Sequence, residues 1–236
     1  ITHMSNVLGT INPIKIISEL SHKVGAFFIV DGAQGVPHMK VNIQDMGCDF
    51  YVFSGHKMLG PTGIGILWGK YKLLNQMDPF MGGGEMIDTV TLESSTWNDV
   101  PYKFEAGTPN FAQAIGLGAA VDYLNKIDMK SVTYHENKLT EFALDELKKI
   151  DGIKIYGSAL NRGGVISFSI RNIHSLDLAQ FLNEENIAIR VGHHCAQPLL
   201  NKIGETSTAR ISFYIYNDDS DIKKFCEALT KIKTYF

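Results

Sequence analysis

The chain has 236 residues, 44% hydrophobic and 20% charged, with a formal net charge of −3. Its length allows one large domain or two modest ones, and its mild acidity argues against a nucleic-acid or anionic-membrane partner. Cys48, Cys195 and Cys226 are too few and too unevenly spaced for a disulfide framework or a paired-cysteine zinc site, which suits a reducing cytosol. No apolar run is long enough to span a bilayer.

Taken in order, Ile1 to Thr10 reads as the end of a strand running into a loop, with no initiator Met before it. A longer protein, of which this chain is the C-terminal part, is therefore expected. A helix follows, with Asn12 as cap, Pro13 in its first turn, Gly25 at its exit, and Ile14, Ile17, Leu20 and Val24 on one apolar face. Ala26 to Val30 predicts a buried strand ending in Asp31-Gly32-Ala33-Gln34. Phe50 to Phe53 and Ile64 to Trp68 predict two more, separated by Ser54-Gly55-His56-Lys57 and a turn at Gly60-Pro61-Thr62-Gly63. Strands alternating with helices point to a parallel α/β sheet, in which ligands collect beyond the carboxyl ends of the strands.

Residues 78–111 show little periodicity and read as a long irregular connection, functional or mobile. A helix rich in small residues is predicted over 111–126, and a charged amphipathic one over 132–150, with Leu139, Phe142, Leu147 and Ile150 inward. From Gly152 the pattern becomes that of a smaller α+β domain. Strands are predicted at 154–156, 165–170, 187–191 and 209–215, and helices at 175–185 and 218–233, the last with Ile222, Phe225, Leu229 and Ile232 inward. The predicted domains are thus 1–126 and 127–236.

Lys57 is the first chemical candidate. A lysine held at the mouth of two buried strands loses hydration and becomes a usable nucleophile or base, although a solvated loop lysine is the commoner case. Asp31, at the carboxyl end of an earlier strand, is either a turn residue or the acid that pairs with such a lysine in a pyridoxal phosphate site. Arg210 sits in an apolar strand, where a guanidinium gripping a carboxylate accounts for it better than a structural ion pair. Cys195 follows Arg190-Val191-Gly192-His193-His194, and positive neighbours favour a thiolate. A metal site is the competing reading, but adjacent histidines in an extended segment diverge and make poor paired ligands. Cys48 and Cys226 look structural.

Asp31-x-x-Gln34 followed by Ser54-Gly55-His56-Lys57 resembles the signature of aminotransferase class V, the fold-type I pyridoxal phosphate enzymes. Arg190-Val191-Gly192-His193-His194-Cys195-Ala196 narrows the resemblance to SUF-type (group II) cysteine desulfurases and selenocysteine lyases. It covers essentially the whole chain, from the strand before Asn6 onward, and implies part of a transferase large domain followed by a small α+β domain. The resemblance also implies roles. Lys57 carries pyridoxal phosphate and shuttles protons, and Asp31 holds the pyridine nitrogen. Gln34 bonds the ring's 3-oxygen, Ser54 and His56 bind the phosphate, and Thr108 reaches the phosphate of the other subunit of a homodimer. Asn6, Arg190 and Arg210 bind the substrate. The Cys195 thiolate takes sulfur from L-cysteine, or selenium from L-selenocysteine, and passes sulfur to a SUF acceptor protein for iron–sulfur assembly in the cytoplasm. The residue stacking on the cofactor ring, and several phosphate contacts, would lie upstream of Ile1. A non-catalytic fragment, acting at most as a dimerising or acceptor-binding module, is thus the alternative.

Overall fold

A computed structural model describes residues 1–232 of the protein. Lys233, the predicted end of the last helix, lies outside the described residues. Two compact units emerge. One comprises Ile1, Pro13–Pro37 and Val41–Lys126; the other comprises Thr2–Asn12, His38–Lys40 and the chain from Ile127 onward.

The first unit runs α1 (Ile14–Lys23), β1 (Ile29–Asp31), α2 (Ile43–Met46), β2 (Phe50–Ser54), β3 (Gly65–Gly69), α3 (Tyr71–Gln76), β4 (Ile87–Val90), β5 (Ser95–Trp97) and α4 (Phe111–Ile127). Strands β1, β2 and β3 form one sheet in that order. β1 and β2 are parallel, because residues 32–49, with α2 among them, are long enough for a crossover. β3 runs antiparallel to β2, so the sheet is mixed rather than uniformly parallel. Residues 55–64 hold only a 3-10 turn at Gly55–Lys57 and can do no more than reverse the chain.

Alternation decides what this sheet buries. Val30 and Tyr51, both 0% exposed, pack with Ile14, Phe28 and Cys48. Ile29 and Leu67 take the opposite parity and stay exposed, so neither β1 nor β3 is the fully buried strand expected. Leu20 and Val24 of the predicted α1 face are exposed as well. Asn12 does not cap α1; its Nδ2 donates to the Thr2 carbonyl at 2.7 Å. The stretch expected to be irregular holds a β4–β5 hairpin, whose exposed faces and shifted register leave no alternation to read.

The second unit contains α5 (Met129–Lys148), β6 (Ile153–Tyr156), β7 (Val165–Ile170), α6 (Ser175–Glu184), β8 (Arg190–Gly192), α7 (Gln197–Lys202), β9 (Thr208–Ser212) and α8 (Asp219–Ile232). Its four-stranded sheet is antiparallel, in the order β6-β7-β9-β8. Leu139, Leu147, Ile166, Phe168, Leu178, Leu182, Phe225 and Leu229 share one core, with Phe168 and Phe225 edge to face at 5.8 Å. β8 starts at Arg190 rather than Ile187, although Ile187 and Ile189 still pack on the core from the preceding loop. The short helix α7 was not anticipated. Residues 2–12 run along β7: the Ser167 hydroxyl donates to Val7 O at 2.6 Å, and a Cβ on Gly9 would stand 2.8 Å from Val165 O.

Asp49, 5% exposed, ties the first unit together by accepting from Lys70 Nζ at 2.7 Å, Phe28 N–H at 2.8 Å and His22 Nε2 at 2.9 Å. Burial alone would raise this carboxyl, but the hydrogen bonds from Lys70, His22 and Phe28 outweigh it and hold Asp49 below its ordinary value. A group lowered in the folded state stabilises above its unfolded pKa of about 4 and loses that contribution as pH falls. Asp49→Asn should therefore destabilise by about 2 kcal/mol in urea unfolding at pH 7, with the deficit shrinking as pH falls below about 4. A deficit independent of pH would refute the charge assignment.

Candidate active site

In the first unit, the parallel pairing of β1 with β2 brings Asp31 and Ser54 to the same, carboxyl, end of the sheet. Asp31 Oδ1 accepts from the Ala33 N–H at 2.9 Å, which fixes the carboxylate just past β1. The turn behind it is tight: Gly32 N–H donates to Val52 O at 2.7 Å, and Gly35 N–H and Val36 N–H donate to Gly32 O at 2.9 and 3.0 Å. A Cβ on Gly32 would stand 2.0 Å from the Tyr51 ring, so only glycine fits there. Gln34 is half-buried on this turn.

Beyond β2, Gly55 N–H donates to Ile64 O at 2.9 Å, and Met58 N–H and Gly60 N–H both donate to Gly55 O at 3.0 Å. This winds Gly55–Lys57 into its 3-10 turn. Ser54 is half-buried, whereas His56 and Lys57 are exposed. Lys57 is thus open to solvent in this chain, on the turn that follows β2. Thr108 is exposed on the loop before α4, after Gly107 in a left-handed conformation (φ 83°). The arrangement offers a carboxylate, an amide, a hydroxyl, an imidazole and an amine past the carboxyl ends of β1 and β2.

The second unit gathers the other candidates. Arg190 on β8 and Arg210 on β9 are direct cross-strand partners. Arg190 Nη2 donates to Cys195 Sγ at 3.2 Å. Arg210 Nη1 donates to the Asn6 carbonyl at 3.0 Å, and its buried Nε has no partner among the described residues. Burial first, then Arg190, lowers the Arg210 guanidinium, while Cys195 works the other way. An unmet donor on a half-buried guanidinium suits an anion such as a carboxylate.

Residues 193–195 are not extended. His194 (φ 52°) and Cys195 (φ 59°) are both left-handed, and Ala196 N–H closes the turn on His193 O at 2.9 Å. His193 and Cys195 are exposed, while His194 is 1% exposed. His194 Nε2 lies 2.9 Å from Thr208 Oγ1 and 3.1 Å from Thr208 O, and its carbonyl accepts from Asn6 Nδ2 at 2.7 Å. Burial, then Arg210 and Arg190, pushes the imidazole down to about 4. His194 is therefore uncharged at neutral pH and is not one of the positive neighbours expected for Cys195. The sequence reading missed Thr208, which carries no motif of its own. Among the described residues, no group of three His, Cys, Asp or Glu could hold a metal. Cys48 is fully buried, and burial raises the Cys226 thiol to about 11.

A family model described as aminotransferase class V matches residues 1–225. The whole chain is 52% identical to a probable cysteine desulfurase of Halalkalibacterium halodurans, covering 58% of that protein. It is 49% identical to a cysteine desulfurase of Haloferax volcanii, covering 56% of it. A crystal structure of a cysteine desulfurase from Escherichia coli, as its S-sulfonic acid, matches with a TM-score of 0.96 at 38% identity, over 100% of this chain and 58% of that one. The chain thus spans a little over half the length of these relatives.

Two glycines test the strand-end geometry. Gly32→Ala should cost about 2 kcal/mol or more, since Tyr51 cannot yield without moving the core. Gly118→Ala, in the middle of α4 with nothing within 4 Å of its Cβ, should gain about 0.5–1 kcal/mol from helix propensity. Urea midpoints read both, and equal effects would contradict the packing around Gly32.

Proposed function

Because the chain belongs to the aminotransferase class V family, we propose that it is the part of a pyridoxal phosphate-dependent cysteine desulfurase that carries the lysine and the thiol. The observation that carries this reading is the second-unit cluster, where one guanidinium holds the Cys195 sulfur and a second keeps a buried donor unmet. The residues of the first unit fit the cofactor chemically. Asp31 engages the Ala33 N–H through Oδ1 at the end of β1, and Ser54, His56 and Lys57 follow at the same end of the neighbouring β2. Bound pyridoxal phosphate would supply an electron sink for the Cα of an amino acid.

The chain's own side chains then divide the work. Asp31 would hold the pyridine nitrogen, Gln34 the 3-oxygen, and Ser54 and His56 the phosphate, joined by the partner subunit's Thr108 in a homodimer. Lys57 Nζ would be the amine that holds the cofactor and the base that moves the Cα proton. Arg210 grips the substrate carboxylate through its unmet Nε, with Asn6 and Arg190 completing the substrate-binding set. Cys195 Sγ attacks the sulfur of L-cysteine: an S–S bond forms and the C–S bond breaks. The C–S electron pair stays with Cβ, which takes up a proton to give alanine, and a persulfide remains on Cys195. An acceptor protein of the SUF type collects that sulfur for iron–sulfur assembly, and selenocysteine can enter the same set. No helix among the described residues is long and apolar enough to cross a membrane.

A second reading has one observation in its favour. Lys57 and His56 are open to solvent, so residues 1–236 alone would hold the cofactor weakly and act at most as a dimerising or acceptor-binding module. Titrating this chain with pyridoxal phosphate, alone and extended at its N-terminus with the corresponding part of a relative, separates the two.

In the extended protein, borohydride should fix the cofactor on Lys57, and L-cysteine should yield alanine. Cys195→Ser should keep that attachment and lower alanine formation at least about 100-fold, because a hydroxyl is far less nucleophilic than a thiolate. Cys48→Ser and Cys226→Ser should stay within about twofold of the parent, since neither thiol belongs to the site. Alanine formed at the parental rate by Cys195→Ser would sink the nucleophile assignment.

A further inference from the structure

Two consecutive non-glycine residues in the left-handed region are uncommon, and they persist only where their surroundings over-determine them. Here they are His194 (φ 52°) and Cys195 (φ 59°), and Cys195 carries the reactive sulfur. Cys195 is itself exposed, so little packing holds it in this conformation. The restraints fall on the residue before it.

His194 is 1% exposed and is held at two ends. Its ring Nε2 reaches Thr208 Oγ1 at 2.9 Å and Thr208 O at 3.1 Å, while its main-chain carbonyl accepts from Asn6 Nδ2 at 2.7 Å. Thr208 is fully buried and pairs with Gly192 in the β8–β9 ladder, so the ring is tied to the same ladder that presents Arg190. Ring Nδ1 is buried and has no partner among the described residues. Nε2 therefore carries the proton and donates to Thr208, leaving a bare lone pair on Nδ1.

We propose that His194 is the positioning residue of Cys195: its uncharged ring, donating through Nε2 to Thr208, pins the left-handed turn that sets Cys195 Sγ against the Arg190 guanidinium. Without that tie, the turn relaxes toward extended backbone, and the sulfur leaves its 3.2 Å contact with Arg190 Nη2. The tie acts through geometry, not by proton transfer. The inference rests on the reading of Cys195 as the reacting thiol.

Alkylation of Cys195 by iodoacetamide at pH 7, followed by peptide mapping, tests it in the intact chain. Glutamine at 194 is neutral and can place an N–H donor at the reach of Nε2. Asparagine tolerates left-handed backbone better than most residues but is too short to reach Thr208. Phenylalanine fills the space without a donor. His194→Gln should label within about twofold of the parent, whereas His194→Asn and His194→Phe should label about tenfold more slowly, because the thiolate loses its cationic neighbour. Circular dichroism and the unfolding midpoint report folding of each variant. If His194→Phe fails to fold, the Gln and Asn pair still decides.

His194→Asn labelling at the parental rate would show that backbone tolerance alone sets the turn, and would overturn the proposal. So would failure of His194→Gln to restore the rate. Labelling needs neither cofactor nor turnover. A protein that binds no pyridoxal phosphate would sink the desulfurase reading and leave this result standing.

Discussion

Two guanidiniums facing each other across a β-ladder repel, and much of the second unit is arranged around that repulsion. Arg190 and Arg210 are direct partners on β8 and β9, a placement that destabilises a sheet unless the charges find other partners. Arg210 is met from residues 2–12 by the Asn6 carbonyl, and Arg190 by the Cys195 sulfur. His194, buried beside both, stays uncharged, since burial and the two neighbouring guanidiniums all disfavour a further cation. The positive field that remains is what a thiolate and a carboxylate require.

Residues 2–12 lie along β7, where the buried hydroxyl of Ser167, of opposite parity to the core residues Ile166 and Phe168, needs a polar partner. Ser167, 0% exposed, supplies the hydroxyl and Val7 the acceptor. A glycine at position 9 lets the strip approach the Val165 carbonyl closely. Asn6 is thus delivered by packing between segments more than 150 residues apart in sequence (|i−j| of 160 for the Ser167–Val7 bond).

The first unit solves a different problem, that of presenting polar groups at a strand end without burying them unpaired. Asp31 is steadied by one backbone N–H, and the turn behind it is locked by the Tyr51 ring over Gly32. The 3-10 turn after Ser54 uses Gly55 as donor to Ile64 and as acceptor for Met58 and Gly60. Asp49, at the head of the same strand, takes the opposite course and is buried with three donors. One carboxylate is structural and the other open, and their hydrogen-bond counts separate them.

Much of this was legible in the chain itself. The apolar runs at Phe50 and Val165, the helical spacing of Leu139, Leu147, Phe225 and Leu229, and the Pro and Gly punctuation depend on local periodicity, which a sequence displays directly. The alternation of strands and helices gave the α/β class, and the residues around Lys57 and Cys195 carried the family. What lay beyond reach depended on contacts distant in sequence. The short connection over 55–64 does favour the antiparallel return of β3, but nothing local says that Leu20 and Leu67 face outward, or that residues 87–97 form a hairpin with few apolar residues to mark it. His194 looks like a second cation beside a cysteine; burial against Thr208, with Arg190 and Arg210 alongside, makes it neutral. Residue types set which chemistry was available. Which of those groups are charged, buried or in contact was decided by tertiary packing, because desolvation and hydrogen-bond geometry exist only once distant segments meet.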